Sequence, residues 1–248
     1  MKITIIGAGT MGSIFQNALN QKKIFNGTDV LMVDKTDKIA DKPLGDIVLF
    51  AVKPQDFPKA AKRLKGVKNK LIISIMAGVT IAKIKRLTPG NRVIRSMPNL
   101  GAQNFASMTV WKADKTLSPK EKGIIKKIFS SIGEEIEVNK EELIDSATAV
   151  SGSGPGYIYF IAGEMMKAAQ KLGFKKIEAE KMVKQTFIGA VDIWKSSNLP
   201  VDVLEAKVKS PKGTTEAGIK EFKKNRLGKV IEKGIAKAHR RAKELSKF

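Results

Sequence analysis

The sequence contains no cysteine and a single histidine, His239. Without cysteine the chain can form no disulfide, no thiolate metal site and no cysteine nucleophile, which fits a reducing compartment such as the cytoplasm. No apolar run approaches the roughly 20 residues that a transmembrane helix needs. A strand-like pattern starts at Lys2 and leaves no room for a signal peptide. We therefore predict a cytoplasmic protein without a membrane span or a metal site.

Acidic residues are also few. The 24 Asp and Glu residues oppose 46 Lys and Arg residues, which gives a formal net charge of +22. Such an excess is typical of proteins that bind nucleic acids or anionic membranes. However, it is accompanied by no zinc finger, aromatic-interleaved basic motif or low-complexity tail, and the basic residues of 219–248 follow the period of an amphipathic helix. We therefore predict no nucleic-acid or membrane partner, and expect the charge to attract anionic cofactors and substrates.

The start of the chain has the pattern of a strand, a glycine-rich turn and a helix. An apolar, β-branched run directly precedes Gly7, and a helical pattern follows Gly12. Gly7 allows a sharp turn, Gly9 allows the backbone to approach a pyrophosphate without a Cβ in the way, and Gly12 allows the helix to pack closely on the strand. A ligand-free tight turn is the alternative. We predict a dinucleotide site at the helix N-terminus, formed by Gly7, Gly9, Thr10, Met11 and Gly12.

A second predicted strand, 29–34, ends in a carboxylate. Asp34 lies about 20 residues beyond Gly12, where an acidic side chain can hold the ribose hydroxyls of NAD. Lys35 and Thr36 follow immediately and would instead suit the 2′-phosphate of NADP. The sequence therefore leaves the choice between NADH and NADPH open.

Strand and helix patterns alternate through the first half of the chain, and helical patterns alone fill the second half. Further strands are predicted at 46–52, 71–76, 92–95, 107–111 and, as an edge strand, 135–138. Helices are predicted at 55–64, 81–87, 118–132, 154–172 and 176–195, with one or two more from Val201 onward. Repeated strand–helix units favour a mostly parallel, doubly wound sheet. We predict an α/β protein with a Rossmann-type dinucleotide-binding domain over 1–145 and an all-helical dimerisation and substrate domain over 146–248.

Two stretches of the helical half, 149–157 and 208–218, place small hydroxyl residues and flexible backbone at a helix N-terminus. This arrangement binds anions without a charged side chain. Simple helix capping by Ser153 or Thr214 is the alternative. Beside a dinucleotide site, the two stretches together favour binding of a small carboxylate. Apolar residues on more than one side of the helix at 158–166 favour a partner chain over packing within one chain.

These motifs resemble the pyrroline-5-carboxylate reductase family. The resemblance implies NAD(P)H-dependent reduction of 1-pyrroline-5-carboxylate to L-proline, the last step of proline biosynthesis. It also implies a homodimer with the active site at the subunit interface, assembling into a larger ring such as a decamer. The matching residues run in family order through nearly the whole chain: 7–12, 51–54, 74–80, 97–99, 150–155 with Tyr157, Ser210–Pro211 and 213–215.

The resemblance also implies roles for individual residues. Ser210, Gly213, Thr214 and Thr215 would hold the substrate carboxylate, and Thr215 would act in catalysis through a hydroxyl near the ring nitrogen. The cofactor pocket would be lined by Ala51, Val52, Lys53, Pro54, Ala77, Gly78 and Asn99.

Two positions depart from the family pattern. Lys212 stands where the family usually has the first of two glycines, and this lysine is strained if the position needs a positive φ. Alternatively, its ammonium group contacts an anionic substrate. Leu100–Gly101 replaces the usual Thr-Pro, and we expect it to loosen the loop beside the nicotinamide.

The chemistry of imine reduction agrees with what the sequence lacks. A cyclic imine is basic enough to bind in its protonated form, so the reaction needs no strong general acid. We expect His239, in a basic segment, to lie on the surface. The alternatives are a related imine reductase or hydroxyacid dehydrogenase with another substrate, and a non-enzymatic nucleotide-binding or nucleic-acid-binding protein.

Overall fold

The computed structural model describes residues 1–34, 44–115 and 117–247. These residues form a seven-stranded sheet with the order β2-β1-β3-β4-β5-β6-β7, parallel throughout except between β5 and β6. This confirms the predicted mostly parallel sheet and its edge strand. The strands are β1 (Ile3–Ile6), β2 (Val30–Val33), β3 (Ile47–Phe50), β4 (Leu71–Ser74), β5 (Arg92–Met97), β6 (Ser107–Ala113) and β7 (Gly133–Glu137).

Helices cover both faces of this sheet. They are α1 (Thr10–Gln21), α2 (Phe57–Ala61), α3 (Ile81–Leu87) and α4 (Pro119–Ser130). Successive strand residues point to opposite faces, so Leu49 joins an apolar cluster with Phe15 and Phe129, whereas Phe50 joins a second cluster with Phe57. Because both faces are covered, β1, β3 and β4 are buried at every position. The doubly wound architecture is confirmed.

The crossover helix predicted at 55–64 is shorter than expected. The α-helical part is the five-residue α2, and 3₁₀ turns at Pro54–Asp56 and Lys62–Leu64 flank it. Pro58 has no N–H to donate back to residue 54, so the first turn closes through the N–H of Phe57 to the Pro54 carbonyl instead.

The second half of the described chain is helical, as predicted. Its helices are α5 (Glu142–Ala147), α6 (Gly154–Lys171), α7 (Lys176–Ser197), α8 (Val201–Lys207), α9 (Thr214–Lys224) and α10 (Leu227–Lys247), and a π-helical turn, Thr148–Gly152, joins α5 to α6. Three helices, rather than the predicted one or two, begin at or after Val201. Lys212 and Arg226 have positive φ angles of 60° and 56°, which interrupt the helical path on either side of α9.

The chain forms two compact units, one of Met1–Pro155 together with the segment from Ala236 onward, and one of Gly156–Ile235. The functional boundary predicted between residues 145 and 146 stays a prediction. Among the described residues, no helix has both the length and the apolar character needed to cross a membrane.

The end of α10 packs within the sheet-containing unit. Gly78, at φ 71°, lies so close to this helix that an added Cβ would be 2.7 Å from the Leu245 Cβ. Ser246 donates a hydrogen bond of 3.0 Å to Asp145. His239 is half-buried, and its Nε2 lies 3.4 Å from the Ser146 hydroxyl oxygen. The predicted surface histidine is therefore partly exposed, and its ring also contacts α5, a helix distant in sequence.

Candidate active site

A cleft of the sheet-containing unit lies at the carboxyl edge of the parallel strands. The chain leaves β1 for β2 on one side and returns to β3 on the other, and a doubly wound sheet binds ligands at such a switch point. The cleft has a volume of about 340 Å³. It brings together six residues of the predicted cofactor site, Gly7, Gly9, Asp34, Ala51, Val52 and Lys53, with Ile6, Ala8, Asp56, Lys59 and Ala60.

The three glycines of the turn differ in what surrounds them. Gly7 has a φ of 113°, and an added Cβ would lie 2.7 Å from the carbonyl oxygen of Ala51. A Cβ on Gly12 would overlap the carbonyl oxygen of Gly7, because α1 lies directly against the end of β1. At Gly9, the N-cap of α1, no described atom beyond its neighbours in the chain lies within 4 Å of an added Cβ. This open backbone at a helix N-terminus fits the pyrophosphate of a dinucleotide.

Charges of both signs line the cleft. Asp34 follows β2, and Lys53, Asp56 and Lys59 come from the segment after β3. The two ammonium groups can attract phosphate oxygens, whereas a carboxylate at the end of β2 suits ribose hydroxyls. Lys35 and Thr36, the residues predicted to meet a 2′-phosphate, lie outside the described residues.

Several other predicted cofactor residues are not among the residues that line the cleft. Thr10 opens α1, Met11 packs against the core, and Pro54 begins the 3₁₀ turn after β3. Ala77 follows the end of β4 and precedes Gly78. The close contact of Gly78 with α10 is by itself enough to require a glycine at that position.

Asn99 follows β5 and ties two segments together. Its Nδ2 donates to the Ser151 carbonyl oxygen at 2.9 Å, and its Oδ1 accepts the Gly101 N–H at 2.9 Å. The Ala106 N–H closes the loop onto the Gly101 carbonyl oxygen at 3.0 Å. An added Cβ on Gly101 would lie 2.5 Å from the Ala106 carbonyl oxygen, so the glycine allows this tight loop. The expectation that Leu100–Gly101 loosens this loop relative to the usual Thr-Pro stays a prediction.

A second cleft, of about 410 Å³, lies in the helical unit where α8 leads into α9. Of the predicted substrate residues, Ser210 lines it, whereas Gly213, Thr214 and Thr215 form the adjacent start of α9 and are not part of its lining. Thr214 and Thr215 are exposed in the single chain. The lining consists of Ala206, Lys209, Ser210, Pro211, Glu216, Ile219, Lys220 and Lys223.

The turn before α9 has a defined geometry. The Gly213 N–H donates to the Ser210 carbonyl oxygen at 2.9 Å, and Lys212, the second central residue, has a φ of 60°. With Pro211 at the first central position, this is a type II β-turn. Lys212 therefore has a positive φ. This is the case in which the sequence predicted backbone strain at this lysine.

Sequence reasoning missed Glu216 at this turn. Its carboxylate accepts the Lys212 N–H at 2.7 Å and pairs with Lys220 at 3.0 Å. The hydrogen bond from the Lys220 side chain and the one from the Lys212 backbone hold the pKa of Glu216 below its usual value. The spacing of Glu216 and Lys220, four residues apart on a helix, was the available signal for the ion pair. No pattern in the sequence indicated the contact with Lys212.

Comparison with known proteins places these features in a family. A family model described as pyrroline-5-carboxylate reductase dimerisation matches residues 141–245, and one described as NADP oxidoreductase, coenzyme F420-dependent, matches 33–78. The pyrroline-5-carboxylate reductase of Synechocystis sp. is 31% identical over 265 residues, covering 100% of this chain and 99% of that protein. The enzyme of Staphylococcus aureus (strain COL) is also 31% identical, covering 99% of this chain and 98% of that protein.

Solved structures agree with the sequence comparison. A pyrroline-5-carboxylate reductase from Coxiella burnetii has a TM-score of 0.89 and 31% identity, covering 100% of this chain and 99% of that one. A pyrroline carboxylate reductase from Plasmodium falciparum with NADP bound has a TM-score of 0.84 and 27% identity, covering 99% of this chain and 98% of that one. The chain therefore belongs to the pyrroline-5-carboxylate reductase family.

Proposed function

We propose that this protein reduces 1-pyrroline-5-carboxylate to L-proline with NADH or NADPH, the last step of proline biosynthesis. The observation that carries the proposal is the similarity, over essentially the whole chain, to proteins named pyrroline-5-carboxylate reductase. The cleft at the ends of β1 and β3 adds support, because it offers an open glycine backbone and lysines to an anionic dinucleotide.

The cofactor binds across this cleft. When bound, a reduced nicotinamide supplies the hydride. The N–H groups that start α1 beside Gly9 hold the pyrophosphate, Asp34 holds the adenine-side ribose, and Lys53 adds a positive charge. We assign to the same site Gly7, Thr10, Met11, Gly12, Lys35, Thr36, Ala51, Val52, Pro54, Ala77, Gly78 and Asn99.

The substrate carboxylate binds at the start of α9. The Ser210 hydroxyl and the unpaired N–H groups of the first helical turn donate hydrogen bonds to it, beside the N-cap Gly213. We propose that the Thr215 hydroxyl donates a hydrogen bond to the ring nitrogen. Transfer of the hydride would form one C–H bond at the imine carbon, and the electron pair of the C=N π bond would become the lone pair of the nitrogen, which keeps its proton. The protein orients the substrate and needs no strongly acidic side chain.

The helical unit supports the proposal of a homodimer. It exposes large apolar side chains that a single chain leaves uncovered, Phe160 being 69% exposed. We propose that these side chains, Ile158, Phe160, Ile161 and Met165 of α6 and Ile188, Val191, Ile193 and Trp194 of α7, meet a second copy, and that dimers assemble further into a decamer. We also propose a cytoplasmic location, which the cysteine-free composition supports.

Steady-state kinetics tests the activity. The purified protein is incubated with 1-pyrroline-5-carboxylate and NADH or NADPH, oxidation of the cofactor is followed by absorbance, and proline is identified by mass spectrometry. Other cyclic imines, 2-keto acids and 3-hydroxy acids are run in parallel. We expect turnover to be fastest with the five-membered imine. Turnover of another substrate in its place, or no turnover with either cofactor, would refute the proposal.

Two variants at one position test the role of Thr215. Thr215→Ala is expected to lower kcat by about 10²-fold while leaving NADPH affinity unchanged, because it removes only the hydroxyl that faces the ring nitrogen. Thr215→Ser keeps the hydroxyl and is the matched control, with kcat close to that of the wild type. Undiminished turnover of Thr215→Ala would remove this hydroxyl from the mechanism.

A further inference from the structure

The type II turn at 210–213 is held against the preference of its own residues. Pro211 suits the first central position of both type I and type II turns, but the second central position of a type II turn requires a positive φ. Lys212 occupies that position with a φ of 60°. A lysine there favours the type I turn, in which φ is negative. The two turns differ in the orientation of one peptide group, the one joining Pro211 to Lys212.

Glu216 binds that peptide group. Its Oε2 accepts the Lys212 N–H at 2.7 Å, while its Oε1 lies 3.0 Å from the Lys220 ammonium nitrogen. In a type I turn the same peptide would direct the Pro211 carbonyl oxygen, instead of the Lys212 N–H, toward the carboxylate. The charge-assisted hydrogen bond would then be replaced by repulsion between oxygens. The carboxylate therefore selects the type II form.

Two other helix starts of the described chain, those of α4 and α7, show how the contact at Glu216 differs from an ordinary capping contact. At α4, Glu121 accepts the N–H of the N-cap Ser118 at 2.9 Å, and at α7, Glu178 accepts the N–H of the N-cap Lys175 at 2.7 Å. At α9, the N–H of the N-cap Gly213 is used within the turn, so the third-position glutamate reaches one residue further back. A glutamate at the third helical position, which in α4 and α7 caps the helix, therefore holds the turn before α9 through the Lys212 N–H.

We propose that Glu216 is a positioning residue for the substrate carboxylate. By holding the type II turn, it keeps the Ser210 hydroxyl beside the first-turn N–H groups of α9, so that both act on one anion. Glu216 itself does not contact the substrate. This inference rests on the proposed function, since it assigns the turn to binding of the imine carboxylate.

A double-mutant cycle tests the inference in full-length protein. Glu216→Ala is expected to raise KM for 1-pyrroline-5-carboxylate about tenfold, with kcat and KM for NADPH changed less than about twofold. Glu216→Gln keeps an oxygen acceptor, so its KM for 1-pyrroline-5-carboxylate is expected to lie close to that of the wild type. In the Lys212→Gly background, Glu216→Ala is expected to raise KM less than about threefold, because glycine adopts the type II turn unaided.

The matched control is Glu178→Ala, which removes the corresponding cap of α7 and is expected to leave KM for the imine unchanged. An equal effect of Glu216→Ala in the wild-type and Lys212→Gly backgrounds would overturn the inference. A lower kcat together with a higher KM for both 1-pyrroline-5-carboxylate and NADPH would also overturn the inference, because it would indicate general damage to the fold.

Amide hydrogen exchange separates this inference from the proposed function. The Lys212 N–H is expected to be protected in the wild type and to exchange faster in Glu216→Ala, a readout that needs no substrate. If the wild type fails to reduce 1-pyrroline-5-carboxylate while this protection is present, the proposed function fails, but the role of Glu216 in holding the type II turn stands. If the Lys212 N–H exchanges equally fast in both proteins, Glu216 does not hold the turn, whatever the activity of the protein.

Discussion

Replacing two glycines of the same turn by alanine should separate cofactor binding from folding. Gly9 and Gly12 are three residues apart in the turn that opens α1, and each change adds one methyl group. At Gly9 the added Cβ faces open space among the described atoms, whereas at Gly12 it overlaps the carbonyl oxygen of Gly7. The same chemical change therefore meets a ligand at one position and the protein backbone at the other.

The expected stability effect at Gly9 is small. Its φ of −74° and ψ of −177° are open to alanine. Alanine reduces the entropy of the unfolded chain, which stabilises by about 0.4–1 kcal/mol. Alanine is also a poorer N-cap than glycine, which costs a similar amount, of order 0.5–1 kcal/mol. The two terms offset each other, so we expect the free energy of unfolding to change by less than about 0.5 kcal/mol.

The expected effect of Gly9→Ala on cofactor binding is larger. Adding a methyl group to a well-packed site costs about 1–3 kcal/mol. Applied to the contact between Gly9 and the pyrophosphate, this range corresponds to a Kd that is about 5- to 150-fold higher. Gly12→Ala should instead destabilise the fold by about 1–3 kcal/mol or more, because α1 must move away from the end of β1.

Urea unfolding and titration with NADH and NADPH, followed by cofactor fluorescence, measure the two effects separately. Gly9→Ala should keep the unfolding midpoint of the wild type and lose affinity for both cofactors. Gly12→Ala should unfold at lower urea concentration. Wild-type affinity in a folded Gly9→Ala protein would show that the pyrophosphate does not pass over this residue.

Three further predictions concern buried charge, backbone strain and pH. Arg95→Met leaves Asp145 and Glu141 without the guanidinium that they face at 2.5 and 2.9 Å, and should lower the free energy of unfolding by about 3 kcal/mol in urea. A loss below about 1 kcal/mol would contradict a structural role for this cluster. Lys212→Gly should raise the free energy of unfolding by about 1 kcal/mol, since glycine adopts a φ of 60° without steric cost, and an unchanged or lower thermal midpoint would argue against strain at Lys212. The pKa of Glu216 is lowered in the folded state, so its stabilising contribution is complete above the carboxyl pKa of the unfolded chain and is lost as pH falls through the folded pKa. Glu216→Gln should therefore flatten the acid side of the plot of thermal midpoint against pH, and an unaltered plot would show that the carboxylate is not stabilised in the native state.

Local patterns determined much of this protein from the sequence alone. The strand, glycine turn and helix at the start of the chain follow from adjacent residues, as do the observed caps of α3 by Thr80 and of α4 by Ser118. Apolar runs predicted the strands because both faces of the sheet are covered. The sequence predicted strain at Lys212 only if this position has a positive φ. It did not decide the sign of φ, because a sequence motif indicates that a turn is present but not which turn type it adopts.

The tertiary structure alone decided the contacts between distant segments. These contacts include the end of α10 against Gly78, the partners of the buried Arg95, the half-burial of His239 and the bond from Asn99 to Ser151. None has a local signal, because hydrophobic period and capping residues describe only what lies within a few positions along the chain. A buried polar side chain must find a partner wherever the fold supplies one, so its partner becomes known only when the fold does.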